Sequence, residues 1–257
     1  MDNRTLLAKE RHLGKVYKTT NCGECTVIDY LSSKEVVVRF LDPVCVVKCR
    51  IGCLKRGSVD NPLFPSFLGV GFLGVGKYKF TDFGMGRLWR SMILRCYNEK
   101  YLNKRDTYKD VTVCEEWLNF QNFAEWCVNQ KGFKSVDQNG RQFQLDKDLL
   151  VEGNKIYSPK TCCFVPTEIN CFFLTGVGAK DNPMRGFRRV GSGRYQVRCS
   201  TNYLGTYDTE YLAKQAYVTN KYEKLKELLG VYKYSLNEAL LNKLSNITKD
   251  ELEEKLI

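Results

Sequence analysis

The sequence predicts an α+β chain assembled from several small modules rather than one large domain. Three observations predict it. Short alternating apolar runs broken by turn residues fill residues 14–76, residues 87–131 switch to helical spacing, and a basic strand-like stretch is followed by one amphipathic helix. At 257 residues and 43% hydrophobic composition the chain can bury a real core, and its length accommodates two or three small domains. The shifts in pattern divide it into residues 1–78, 79–175, 176–230 and a tail, 231–257.

In the first module the apolar runs are Thr26 to Tyr30, Glu35 to Phe40 and Cys45 to Cys49, separated by Asn-Cys-Gly, Ser-Ser-Lys and Asp-Pro breaks. These read as strands of a small β-barrel. Gly69, Gly71 and Gly74 spell a G-x-G-x-x-G string, but Gly76-Lys-Tyr-Lys follows where a dinucleotide site needs a helix and a βαβ unit. The twelve cysteines of a chain this rich in Leu, Val, Phe and Tyr read as reduced, buried thiols. Cys22, Cys25, Cys45 and Cys49 form the one set with spacing for a possible structural zinc. Strand spacing scatters the last two, and with a single histidine in the chain zinc is disfavoured.

In the second module Leu88, Met92 and Cys96 share one helical stripe and Trp117, Phe120, Phe123 and Trp126 another, both read as core. Asn139-Gly140 is a tight-turn signal between Lys134 to Asp137 and Gln142 to Leu145, so a hairpin is expected there. A linker carrying Gly176 and Gly178 leads to the basic stretch and a helix from Glu210 to Leu229. In the tail Leu236, Leu240 and Leu244 share a face, and Thr248-Lys-Asp-Glu251 reads as a capping box.

Charge narrows the function classes. A formal net charge of +11 sets up a field that favours polyanions. No run of eighteen apolar residues occurs and Met1 to Arg11 does not read as a secretory signal, so a soluble, cytoplasmic protein with neither a membrane partner nor a small-molecule substrate is expected. The charge concentrates at Arg185, Arg188, Arg189, Arg194 and Arg198, fourteen positions without an acidic residue, with Gly191-Ser-Gly193 as the turn. Alternation puts Arg194, Gln196 and Arg198 on one face and Tyr195, Val197 and Cys199 on the other, where the following helix can cover them. Arginine forks match phosphate oxygens and the guanine edge, glutamine pairs with adenine, and a β-ribbon fits the major groove of double-stranded DNA.

Met184-Arg-Gly-Phe-Arg-Arg-Val, Gly193-Arg-Tyr-Gln-Val-Arg, Tyr203-Leu-Gly-Thr-Tyr-Asp-Thr and Ala213-Lys-Gln-Ala-Tyr217 together resemble the plant ethylene-response-factor type (APETALA-type) DNA-binding domain. The resemblance implies a three-stranded sheet packed on one helix, with Arg185, Arg188, Arg189, Arg194 and Arg198 entering the major groove. The tryptophan that plant members often carry after the turn is missing here, and Gln196 and Ser200 stand where charged residues are frequent.

Upstream, Leu145-Asp-Lys-Asp-Leu149, Gly153-Asn-Lys155 and the stretch from Tyr157 to Asn170 resemble the HNH endonuclease motif, a hairpin and helix around one divalent cation. Phage-encoded homing-type nucleases often join it to the sheet domain just named, and Trp89, Met92, Arg95-Cys-Tyr-Asn98 and Cys114-Glu-Glu-Trp117 look like stretches of phage proteins. The resemblance puts Lys147 at the general-base position and Asp146, Asp148 and Asn170 at the ligands of Mg2+ or Mn2+. An active member uses histidine as base, and the one histidine here, His12, is far upstream. A lysine with an ordinary pKa near 10.4 is protonated at neutral pH, so the expectation is a retained fold with the reaction lost or greatly slowed. Two rivals stay open: an active metal-dependent endonuclease using Asp146, Asp148 and Asn170, and a basic phage protein that inhibits a host protein through its N-terminal module.

Overall fold

The computed structural model describes residues 3–173, 186–199 and 202–256, and these combine short helices with several small sheets, an α+β arrangement. The chain divides into two compact units, residues 1–127 with 156–158, and residues 128–155 with 159–257. The division falls inside 79–175, the stretch read above as one block. Among the described residues no helix is long and apolar enough to cross a membrane.

The first unit opens with α1 (Asn3–His12) and an antiparallel meander of β1 (Val16–Lys18), β2 (Glu24–Ser32), β3 (Glu35–Leu41) and β4 (Val44–Cys49), followed by the short α2 (Ile51–Lys55). Period-two alternation sends Cys25, Val27, Val36, Val38 and Phe40 inward, where Leu54 of α2 completes a core. Among the described residues β1 and β4 are the sheet's edges, so the sheet stays an open meander, short of the closed barrel expected. The reason is length, since β1 has only three residues to offer a partner.

Cys22 and Cys25 lie in this core and Cys49 packs against it, while Cys45 is buried a strand's length away. Four residues along one strand separate Cys45 from Cys49 by about 13 Å, too far to share an ion. Among the described residues no group of three or more His, Cys, Asp or Glu is placed to hold a metal. Of the possible zinc set, Cys22, Cys25 and Cys49 take part in this apolar packing and Cys45 is buried apart from them. Burial, and secondarily the neighbouring Cys49, pushes the Cys25 thiol up to about 11.

The rest of this unit comprises α3 (Met85–Tyr97), α4 (Glu99–Leu102), β5 (Thr112–Val113), α5 (Glu115–Leu118) and α6 (Phe120–Val128). Strand β7 (Ile156–Tyr157), which follows β6 (Gln144–Asp146) in the chain, pairs in parallel with β5. Trp89 of α3 donates its indole N–H to the main-chain oxygen of Trp117 at 2.7 Å, and Trp117 packs on Phe123 and Trp126. The glycine string lies against this core: a Cβ on Gly71 would stand 2.7 Å from Ile93 and 2.9 Å from the Trp89 ring. Close packing explains that glycine without any cofactor.

In the second unit the Asn139-Gly140 turn is built on Asp137, whose Oδ1 accepts the N–H groups of Asn139 and Arg141. A single bridge, Val136 to Gln142, continues the hairpin. Then β6 pairs antiparallel with β8 (Cys163–Val165), and α7 (Thr167–Asn170) follows, so a ββα unit surrounds residues 144–170. The sheet of β9 (Phe187–Arg189), β10 (Tyr195–Cys199) and β11 (Asn202–Tyr207) precedes α8 (Glu210–Tyr232), α9 (Glu238–Ser245) and α10 (Lys249–Leu256). Helix starts follow side-chain capping: Thr209 accepts from the Leu212 N–H, Asn237 from Ala239 and Leu240, and Thr248 and Glu251 cap each other reciprocally.

Candidate nucleic-acid interface

The sheet runs β11-β10-β9, antiparallel throughout. One face is apolar: Phe187 and Val197, flanked by Tyr195, Leu204 and Tyr207, pack on Ala213 and Tyr217 of α8. Gly186 is required at the entrance to β9, because its φ is +84° and an added Cβ would lie 2.1 Å from the Tyr217 ring.

Register assigns the opposite face. Arg188, Gln196 and Thr206 form one cross-strand row, and Arg198 pairs with Tyr203 in the next. Both Nε and Nη2 of Arg188 donate to Gln196 Oε1, at 3.1 and 2.9 Å. The Arg198 guanidinium lies 6.0 Å from the centre of the Tyr203 ring, which is 55% exposed. Arg194 reaches Asp208 Oδ1 at 2.7 Å through Nε and the Thr206 carbonyl at 3.2 Å through Nη2. That ion pair is exposed on both sides, 49% and 78%, so a phosphate can exchange into it at little cost. Of the sequence-derived set, Arg188, Arg194, Gln196 and Arg198 thus share the outer face. Arg189 sits opposite Tyr195 and by alternation belongs to the α8 side, exposed at the hairpin end. Arg185 lies outside the described residues. Sequence reasoning missed Tyr203, Thr206 and Asp208, since a bulge between Val197 and Arg198 shifts the register of β11 that simple alternation would assume.

A second feature is a cleft of about 900 Å³ at the ββα unit, where Asp146, Asp148 and Asn170 meet residues of α9 and α10. The three side chains proposed from sequence as metal ligands therefore line one space. Their bonds point elsewhere. Asp146 Oδ1 accepts the N–H groups of Asp148 (3.0 Å) and Leu149 (2.7 Å), a turn-forming role, and the Asn170 amide donates to Gln144 Oε1 at 2.5 Å. Burial, reinforced by the Asp148 charge and opposed by those backbone bonds, raises the Asp146 carboxyl to about 6. Lys147, at the general-base position, pairs with Asp148 Oδ2 at 3.0 Å with its side chain 11% exposed. The oxygen donors are of the type Mg2+ or Mn2+ takes, and the bonds just given engage Asp146 Oδ1 and the Asn170 amide nitrogen. The lysines that line the cleft, Lys243 and Lys255, come from the tail and carried no local sequence signal.

Comparison of the chain with protein-family models, with curated proteins and with solved structures finds no match.

Proposed function

We propose that this chain is a sequence-specific double-stranded DNA-binding protein of bacteriophage type, which reads the duplex with the β9–β10–β11 sheet in the major groove. One observation carries the reading. Three guanidinium groups and a glutamine stand on the outer face of a thin sheet whose inner face is fully used by α8. Phosphates take the exposed forks of Arg194 and Arg198, while Arg188 and Gln196, already paired side by side through Gln196 Oε1, offer their remaining N–H donors to base edges. The module layout expected from sequence goes with this reading: an N-terminal β module, a degenerate HNH-like centre, an ethylene-response-factor-like reader and a helical tail, working in the cytoplasm of an infected host.

Selection of bound sequences from a random duplex pool tests it, with Arg194→Ala/Arg198→Ala as control. An enriched motif that the variant loses supports the reading, together with a steep fall in affinity between low and moderate salt. A flat salt response and no motif would instead favour a host protein as partner. A second reading, an active HNH-type endonuclease, is favoured by the convergence of Asp146, Asp148 and Asn170 on one cleft. Nicking of supercoiled plasmid with Mg2+ or Mn2+ that disappears in Asp146→Ala would establish it.

A further inference from the structure

The tail does more than finish the core. Lys243 of α9 donates its ammonium protons to the main-chain oxygens of Leu149 (2.8 Å) and Leu150 (3.1 Å), 94 and 93 positions away, and Lys255 of α10 pairs with Glu152. Helix α10 is held on α8 as well: Glu253 accepts from Lys214 at 2.7 Å and Gln215 at 3.2 Å, and Leu252 and Leu256 are buried. Its composition runs against that of the chain. Within the helix Asp250, Glu251, Glu253 and Glu254 are set against two lysines, Lys249 and Lys255, a net charge of −2 on one helix of a +11 protein. Glu251 and Glu254 line the cleft beside Asp146, Asp148 and Glu152, so a phosphate backbone approaching this side meets five carboxylates against two lysines, Lys243 and Lys255.

We propose that α9 and α10 form an intramolecular lid that excludes the DNA backbone from the Asp146 cleft, latched by Lys243 and Lys255. The proposal rests on the DNA-binding reading and adds regulation to it. A tail serving only as core would need its leucines and no polar latch. Here the latches tie the lid to the loop after β6, and one of them, Lys255 with Glu152, is exposed enough for a competing polyanion or cation to open it.

Full-length Lys243→Glu/Lys255→Glu places two further negative charges against the same carbonyls and carboxylates, and Glu152→Lys/Lys255→Glu keeps Lys243 and restores the pair in reverse. Amide hydrogen exchange and a hydroxyl-radical footprint on the selected duplex read both variants. In the first, exchange over residues 146–154 and 249–256 should rise about tenfold with residues 187–207 unchanged, and the footprint should lengthen by several base pairs. In the second, both should match the parent. Unchanged exchange, or faster exchange with an unchanged footprint, would reduce the tail to a structural element and overturn the lid. No footprint from any variant, the parent included, would overturn the DNA-binding reading and the lid with it.

Discussion

Replacing Asp146 with asparagine separates a turn-forming carboxyl from a working metal ligand. Burial and the Asp148 charge hold this carboxyl at about 6, against an ordinary 3.8. The folded value lies above the unfolded one. Below about pH 4 both states are protonated and the group is neutral to stability; above about pH 6 both are ionised, and the folded state carries a charge removed from water. Stability contributed by the protonated form is thus lost as pH rises through that window, by about 3 kcal/mol at 1.36 kcal/mol per unit. Asparagine keeps an oxygen for the Asp148 and Leu149 amides and never ionises. Asp146→Asn should therefore be more stable than the parent at pH 7 by up to about 3 kcal/mol, with the gap closing near pH 4. Urea unfolding followed by circular dichroism across pH 4–8 measures it. A variant that is less stable at pH 7, or a gap that ignores pH, would refute the argument and mean that a cation stabilises the ionised carboxylate.

Gly186→Ala forces a side chain into a left-handed backbone and onto the Tyr217 ring, so a loss of about 3 kcal/mol or more is expected, read as faster amide exchange across residues 187–207. Gly191→Ala, with nothing within 4 Å of the added carbon, is the control and should change little. Asp208→Asn removes a negative charge beside Arg194; at about 6 Å from a phosphate and water-like screening that is about 0.7 kcal/mol, or roughly threefold tighter DNA binding at low salt by fluorescence anisotropy. Weaker binding would contradict a phosphate role for Arg194. Trp89→Phe leaves the Trp117 carbonyl without its indole donor and should lower stability by about 1–3 kcal/mol in chemical denaturation.

What the sequence made legible was local chemistry. The Asn-Gly turn, the reciprocal cap of Thr248 and Glu251 and the alternation over Arg194 to Arg198 each depend on residues a few positions apart, and each is present in the structure. Adjacent Arg188 and Arg189 could not share a strand face, so the arginine set was bound to divide, but which one turned outward depended on Phe187 meeting α8. Lys243 and Lys255 were illegible for a different reason. Their partners are 93 to 103 positions away, and nothing in the spacing of Lys243 or Lys255 points to them.

Helix α8 shows how the reader and the cleft become one object. Its first turns give Ala213 and Tyr217 to the sheet, whereas its last turns bury Leu225, Leu228 and Tyr232, with Tyr232 set edge-on to Phe143 and its hydroxyl accepting the Gln138 N–H. At 3.6 residues per turn the buried stripe has rotated by roughly a quarter-turn between the two halves, which is why no single apolar face runs the length of the sequence. Lys221, midway, bonds the Phe172 carbonyl at 2.8 Å just after α7. A helix shared in this way cannot move with the sheet and leave the ββα unit behind. If the arginine face docks on a duplex as proposed, this helix also fixes where the Asp146 cleft stands along it, and the proposed lid would act on a site whose position is already set.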